Sequence, residues 1–158
     1  MRQFADFLGQ WRLARTILPA AGPEARFEGA AVWSEDGAYA ERGLLQVEGQ
    51  VPMTAERRYH WDADLNVYFD DGRFFHRVPP TGGETAHWCD PDQYDGAYDF
   101  AQWPRFEVRW RVLGPRKNYE MISQYCREGA VLACENAFAG AEIAQTNGGT
   151  WDGHSHDK

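Results

Sequence analysis

Alternation of apolar and polar residues with a period of two is the feature that most constrains the fold of this 158-residue chain. Phe106, Val108, Trp110 and Val112, for example, are separated throughout by charged residues. Successive side chains of a β-strand point to opposite faces of the sheet, so this spacing predicts half-buried strands. About ten such segments recur at spacings of roughly 8–14 residues, which is typical of an antiparallel meander that closes into a barrel or sandwich.

Turn signals bound the predicted strands, and a short helix precedes them. Asp36-Gly37 and Asp71-Gly72 each stand between two strand-like segments, and Asp-Gly in that position strongly indicates a β-hairpin. Apolar residues at helical spacing predict a short helix over residues 3–8, ended by Gly9. We therefore predict an all-β fold, a single antiparallel up-and-down barrel of about 8–10 strands over residues 1–139. The small and polar residues 140–158 predict a flexible C-terminal tail.

Aromatic residues supply most of the predicted interior. The chain has nine Phe, seven Trp and seven Tyr, whereas Leu, Ile and Val are scarce and the formal net charge is −8. Scarce aliphatic residues and a high charge are typical of disordered chains, but each large ring can bury about 150–250 Å². The rings therefore predict a folded domain, and a length of about 150 residues favours one domain rather than two.

Composition also excludes several classes of protein. No apolar run approaches the ~18 residues of a transmembrane helix, and the N-terminus lacks the apolar stretch of a signal peptide. A net charge of −8 disfavours binding to nucleic acid. Cys89, Cys126 and Cys134 lack the spacing of a metal site, and their odd number suits free thiols in a reducing cytosol. We expect a cytoplasmic protein without membrane or nucleic-acid partners.

The faces predicted to point inward carry polar side chains that an inert core would exclude. Arg15, Glu41 and Arg57 lie among them, and two arginines against one glutamate leave about one positive charge. A buried charge must be paired, hydrated or bound to a ligand. Aromatic walls with a few convergent polar groups are typical of a barrel that holds one small molecule. The predicted ligand-binding residues are Arg15, Glu41, Arg57, Tyr59, Trp61, His76, Tyr98, Trp110, Lys117, Tyr119 and Tyr125.

The densest group of reactive side chains is segment 87–94, His-Trp-Cys-Asp-Pro-Asp-Gln-Tyr. Imidazole and thiolate both bind zinc or iron, but His87 and Cys89 have only His76 as an obvious third ligand, so we predict no metal and no other cofactor. Cys89 as a nucleophile activated by His87 is disfavoured, because both side chains leave one strand in the same direction. We favour a structural interpretation, in which the segment is a strand end whose polar groups fix the turn at residues 90–92.

Four motifs together resemble a known family. They are Gly9-x-Trp11-x-Leu13-x-Arg15, Tyr59-x-Trp61, His87-x-Cys89-x-x-Asp92-x-Tyr94 and Gly114-Pro115-x-Lys117-Asn118-Tyr119. Gly-x-Trp after a short helix resembles the start of lipocalins and their calycin relatives, in which the Trp packs across the closed end of the barrel. The whole set, which extends to about Arg127, resembles an uncharacterised lipocalin-like family of small bacterial and fungal proteins. The resemblance implies a lipocalin-like barrel and no particular activity.

We expect no signal peptide and no disulfide framework in this chain. In these two respects it resembles the intracellular barrels of the fatty-acid-binding and nitrobindin-like kinds. Nitrobindin-like barrels hold haem through a histidine, which would make His76 or His87 an axial ligand. The chain has no matching ligand motif.

Two hypotheses of function place chemistry inside the barrel. The first is an intracellular barrel that binds a small, partly apolar, anionic ligand, with rings stacked on it and Arg15, Arg57 and His87 at its polar end. The second is a cofactor-independent isomerase, cyclase or hydrolase. In that enzyme His87 is the general acid or base, Asp92 or Tyr94 orients it, and Arg57 stabilises negative charge.

A third hypothesis is a homodimeric interaction module without a ligand. We call the assignment of alternate strand residues to the inward and outward faces the predicted parity. It directs outward four apolar residues that would form a dimer patch, Phe75, Trp88, Leu44 and Val32. The same parity directs Phe74 inward.

Overall fold

Residues 1–127 are the part of the chain that the computed structural model describes. The elements in this part are α1 (Phe4–Phe7), β1 (Gly9–Pro19), β2 (Ala25–Trp33), β3 (Ala38–Val47), β4 (Met53–Trp61), β5 (Asn66–Phe69), β6 (Phe74–Arg77), β7 (Gly83–Cys89), β8 (Asp92–Asp99), β9 (Phe106–Leu113) and β10 (Asn118–Arg127). The prediction of an all-β fold behind a short helix is confirmed for these residues. The predicted barrel boundary at residue 139 and the predicted tail over 140–158 lie outside them.

The strands form a nearly closed up-and-down barrel. The sheet order is β6-β5-β4-β3-β2-β1-β10-β9-β8-β7, with β1 joining the first half of the chain to β10. Every paired strand is antiparallel to its neighbours. β6 and β7 are the two edges of this sheet and approach each other without a backbone ladder between them in residues 1–127. We call this gap the seam.

Alternation of side chains follows the prediction on most strands. In β9, the residues Phe106, Val108, Trp110 and Val112 are buried, and the charged residues between them are exposed or half-buried. The two Asp-Gly pairs lie in the turns between β2 and β3 and between β5 and β6, as predicted. Period-two patterning therefore accounts for the buried faces of these strands, and turn chemistry accounts for two of the hairpins.

The segment around α1 closes one end of the barrel. Phe7 and Trp11 are fully buried, and the Trp11 indole Nε1 donates a hydrogen bond of 2.7 Å to the Phe7 carbonyl oxygen. The guanidinium of Arg127 lies 4.1 Å from the Trp11 ring centroid and donates to the carbonyl oxygens of Asp6 and Leu8. α1 has four residues, and no helix in residues 1–127 has the length and apolar character needed to cross a membrane.

The predicted parity is wrong at β6. Phe74 was expected to point inward and is 50% exposed, whereas Phe75 was expected to point outward and is 2% exposed. The cause is a register shift between Val67 and Tyr68 on the partner strand, which leaves both Phe75 and His76 buried. Phe75 therefore belongs to the interior and not to an outer dimer patch.

The prediction of free thiols is wrong for one cysteine. Cys89 is free and half-buried, but Cys126, which is buried in β10, is disulfide-bonded. Because disulfides are rare in reducing compartments, Cys126 does not support the prediction of a reducing cytosol. Cys134 lies outside the described residues.

Candidate functional site

The middle of the barrel contains a cavity of about 50 Å³. Its wall is mostly aromatic, and it includes two arginines, one glutamate and one histidine. The lining residues are Arg15, Trp33, Tyr39, Glu41, Arg57, Tyr59, Trp61, Val67, Phe75, His76, Tyr98, Phe106, Val108, Trp110, Met121, Ser123 and Tyr125. A space of this size admits a few water molecules or one small polar group.

A buried ion pair forms one side of the cavity. Arg15 on β1 donates two hydrogen bonds to the carboxylate of Glu41 on β3, one of them 3.1 Å long. β2 lies between these strands and carries Gly29 and Ala31 on its inward face, which leaves room for the long side chains to meet. Arg15 also donates through Nε to the Ser123 hydroxyl at 2.7 Å. The guanidinium is thus held on three sides.

The same carboxylate ends a chain of tyrosine hydroxyls. Tyr39 donates to Glu41, and the hydroxyls of Tyr39 and Tyr125 are 2.8 Å apart. Because the Tyr39 proton is directed to the carboxylate, the proton between the two tyrosines comes from Tyr125. The direction of donation therefore runs from Tyr125 through Tyr39 to Glu41.

Electrostatics keeps the ion pair charged and the tyrosines neutral. Burial alone would raise the pKa of Glu41, but Arg15 and then Arg57 outweigh it and lower that pKa. Burial alone would lower the pKa of Arg15, and the attraction of Glu41 raises it overall. Burial and then the Glu41 charge raise the pKa of Tyr125 to about 12 and that of Tyr39 well above its ordinary value. These hydroxyls keep their protons at neutral pH.

Two residues of the cavity lining, His76 and Trp33, each carry a buried polar atom without a hydrogen-bond partner in residues 1–127. The His76 Nε2 atom lies 2.8 Å from the Tyr98 hydroxyl, and burial, followed by the nearby His87, lowers the pKa of His76 to about 3. Its other ring nitrogen, Nδ1, is buried without a partner in residues 1–127. The same is true of the Trp33 indole Nε1. An unsatisfied buried polar atom costs about 1–3 kcal/mol.

A second polar group lies outside the cavity lining. Lys117 Nζ is 3.1 Å from the Asp92 carboxylate and 3.1 Å from the Tyr94 hydroxyl, and it ties the β9–β10 turn to β8. Gly114 lies beside this ion pair, and a Cβ there would lie 1.9 Å from Asp92 Oδ1, so a larger residue would displace the carboxylate. The group therefore holds the β9–β10 turn against the start of β8.

His87 lies next to this second group at the seam. Its ring centroid is 5.8 Å from that of Tyr94 and 5.3 Å from that of Phe75, and its side chain does not line the cavity. Burial and then the Arg73 charge lower the pKa of His87, opposed by a hydrogen bond with the Phe75 backbone. The three residues predicted for catalysis, His87, Asp92 and Tyr94, therefore share one end of the barrel but not the cavity.

Residues 7–127 match a family of unknown function, DUF6314. The chain belongs to this family. No curated protein sequence matches it. Among solved structures, the barrel is similar to the S-type phycobiliprotein lyase CPES from Guillardia theta, with 8% identity and a TM-score of 0.54. The match covers 79% of this chain and 90% of the lyase chain. At that identity the similarity establishes the lipocalin-like fold alone.

The structure gathers most of the residues that the DUF6314 sequence predicts for ligand binding. Lys117 and Tyr119 are absent from the lining; Lys117 binds Asp92, and Tyr119 packs at the margin of the core. The predicted residues that line the cavity are Arg15, Glu41, Arg57, Tyr59, Trp61, His76, Tyr98, Trp110 and Tyr125. Within residues 1–127, no group of three or more potential metal ligands occurs.

The prediction for this DUF6314 chain omitted several lining residues. Trp33 and Tyr39 have the same inward parity as Arg15, so their positions were readable from the alternation. Ser123 was on an inward row, and only its partner Arg15 shows why it matters. Phe75 had no signal, because the register shift at β5 and β6 leaves no mark in the sequence.

Proposed function

We propose that this DUF6314 protein is a barrel that binds a small, partly apolar, anionic molecule in its central cavity. The observation that carries the proposal is a pair of buried polar atoms on two residues that line the cavity, Trp33 Nε1 and His76 Nδ1. Within the described residues each lacks a hydrogen bond, and a ligand that supplies one to each removes both costs. The ligand head would lie between these two side chains.

Charge and shape support the anionic and apolar parts of the ligand. The described wall holds Arg15 and Arg57 against Glu41, which favours a negative head group. Rings of Tyr59, Trp61 and Trp110 provide flat apolar surface for the remainder. A volume of about 50 Å³ matches the head group, so the remainder of a longer ligand would extend past Phe75 and His76 toward the seam.

The similarity in fold is consistent with this proposal, because a similar barrel occurs in a phycobiliprotein lyase. The two alternatives receive less support. An acid–base enzyme based on His87 needs that side chain in the cavity, and its ring lies outside the lining. A homodimer through the predicted patch loses Phe75, and its remaining exposed members are Trp88 and Val32.

Native mass spectrometry with a matched pair of tryptophan variants tests the proposal. The protein is incubated with straight-chain carboxylic acids from acetate to octanoate. We expect a saturable 1:1 adduct, weakened about tenfold or more by Trp33→Phe, since a hydrogen bond to a charged group contributes about 1.5–3 kcal/mol. Trp88→Phe makes the same chemical change at a side chain that is 60% exposed, and should leave binding unchanged. No saturable adduct with any acid, or an equal loss in both variants, would overturn the proposal.

A further inference from the structure

We propose that Tyr98 fixes the tautomer of His76 and thereby makes the cavity selective for a carboxylate over a group that carries its own proton donor. The inference rests on the proposed function, since it names the head group of that ligand and the residue that selects it. Tyr98 is a positioning residue in this account, because it acts through His76.

The position of the shared proton follows from the partners of Tyr98. Its hydroxyl is buried, and in residues 1–127 its one side-chain hydrogen bond is to His76 Nε2, at 2.8 Å. Burial raises the pKa of Tyr98 well above its ordinary value, so the hydroxyl keeps its proton. A buried hydroxyl directs that proton to the acceptor within reach. The Tyr98 O–H therefore donates to Nε2, which must be the unprotonated ring nitrogen.

The remaining proton of His76 then lies on Nδ1. The imidazole is neutral near pH 7, because its pKa is about 3, and a neutral ring carries one N–H. Nδ1–H is the atom that lacks a partner in the described residues, and the Trp33 Nε1 atom is always a donor. The His76 Nδ1 and Trp33 Nε1 atoms are thus both donors.

The polar atoms nearby reinforce this preference for an acceptor. Glu41 already accepts two hydrogen bonds from Arg15 and one from Tyr39. A ligand amide or alcohol would direct its own proton into a site whose open positions are N–H groups. A carboxylate has lone pairs and no proton, and it is flat and small enough for about 50 Å³. Its negative charge matches the excess of arginine over glutamate in the lining.

Nitrogen NMR tests the tautomer in the unliganded protein. Long-range ¹H–¹⁵N correlation spectra distinguish a protonated from an unprotonated ring nitrogen, and His76→Gln assigns the signals. We expect Nδ1 protonated and Nε2 unprotonated in the natural protein, and loss of that single form in Tyr98→Phe. Tyr68→Phe is the matched control, because its hydroxyl donates to Asp62 away from the cavity.

Binding of hexanoate and hexanamide, which have nearly the same shape, tests the selectivity. Titration is followed through the Trp33 indole N–H signal, assigned by Trp33→Phe. We expect hexanoate to bind the natural protein about tenfold more tightly than hexanamide or better, and Tyr98→Phe to reduce that ratio to about threefold or less. The Tyr68→Phe control should keep the full ratio.

The outcomes separate this inference from the proposed function. A proton on Nε2 in the natural protein would overturn the inference even if hexanoate binds. Equal affinities for acid and amide would also overturn it and leave the binding role standing. Failure of hexanoate and of every other acid from acetate to octanoate to bind would overturn the proposed function itself. The tautomer measurement on the natural protein decides the first question even if Tyr98→Phe does not fold.

Discussion

Arg15 and Glu41 are charged residues enclosed by rings, with exposed fractions of 7% and 2%. Such a pair tolerates replacement of both members better than removal of one, because one uncompensated charge would remain buried. Removal of either member alone is therefore expected to destabilise the protein more than replacement of both.

Glu41→Gln is expected to lower the free energy of unfolding by about 3–5 kcal/mol, since it leaves the Arg15 guanidinium facing a neutral amide. Urea denaturation measures the change. The control is Glu56→Gln, which breaks a 2.8 Å ion pair with Arg42 on the surface and should cost about 0–1 kcal/mol. Similar losses in both variants would contradict the buried role.

His76 predicts a dependence of stability on pH. Its pKa is lowered to about 3 in the folded protein, against about 6.5 in the unfolded chain. Between these two pKa values the unfolded state therefore binds a proton that the folded state does not bind. The contribution of neutral His76 to the free energy of unfolding is therefore complete above pH 6.5, and it declines by about 1.4 kcal/mol per pH unit as the pH falls toward 3.

Equilibrium unfolding between pH 7 and pH 5 tests that dependence. His76→Gln should be less stable at pH 7 but lose about 2 kcal/mol less over this interval than the natural protein. The lowered pKa of His87 acts in the same direction in both proteins and cancels in the comparison. Parallel curves for the two proteins would contradict the burial of a neutral His76.

Individual cavity residues differ in how far the sequence reveals them. Arg15 and Glu41 are recognisable because a charge at inward parity on a strand is an anomaly. The partnerless state of Trp33 Nε1 is not recognisable, because it depends on which rings surround the indole. Parity therefore identifies candidates, and three-dimensional packing decides which of them can bind.

The backbones of the antiparallel strands β2 and β3 approach closely at Gly29 and Gly43, which are directly paired in the register. A Cβ on Gly29 would lie 2.1 Å from the Arg42 carbonyl oxygen, and one on Gly43 would lie 2.2 Å from that of Glu28. Neither obstacle is a flexible side chain. The two strands are in contact through their backbones here, and this allows the barrel wall to bend.

Alanine at either glycine is expected to destabilise the protein by about 1–3 kcal/mol or more, because backbone must move to admit the methyl group. Thermal or urea unfolding of Gly29→Ala and Gly43→Ala measures this. The control is Gly49→Asn in the β3–β4 turn, where nothing lies within 4 Å and φ is +82°, a conformation that asparagine tolerates. Alanine variants as stable as the natural protein would show that the strands are not in contact.

Hairpins and bulges mark the limits of prediction at the level of elements. The Asp-Gly turns identify the β2–β3 and β5–β6 hairpins, because both glycines have positive φ and both aspartates accept a backbone hydrogen bond within the turn. The register shift between β5 and β6 has no residue requirement of its own, so the parity of Phe74 and Phe75 is wrong in the prediction. His76 is nevertheless buried, because the shift turns two successive side chains inward.

At the scale of the whole barrel, the two strands at the seam have fewer hydrogen-bonded neighbours than the strands on the opposite side. β6 and β7 each have one side that is not hydrogen-bonded to another described strand, whereas β1 and β10 are paired on both sides. Amides open to solvent exchange without unfolding. β6 and β7 should therefore exchange their amide hydrogens faster than the strands opposite them.

Hydrogen exchange followed by mass spectrometry measures this order. We expect peptides from 74–77 and 83–89 to exchange first among the strands, and β1 and β10 to exchange last. Saturating hexanoate should slow exchange at β6 in particular, because Phe75 and His76 line the cavity. Uniform exchange across the described strands would contradict the open seam.

The seam also has a mechanical consequence. A fully paired barrel has a fixed circumference, because widening it breaks ladder hydrogen bonds, which contribute about 0.5–1.5 kcal/mol each. Here β6 and β7 are the unpaired edges of the described sheet, so the barrel can widen at the seam while its ladder hydrogen bonds stay intact. The resting volume of the cavity is then a lower limit on what the wall can enclose, and larger guests are resisted by the packing of rings against one another.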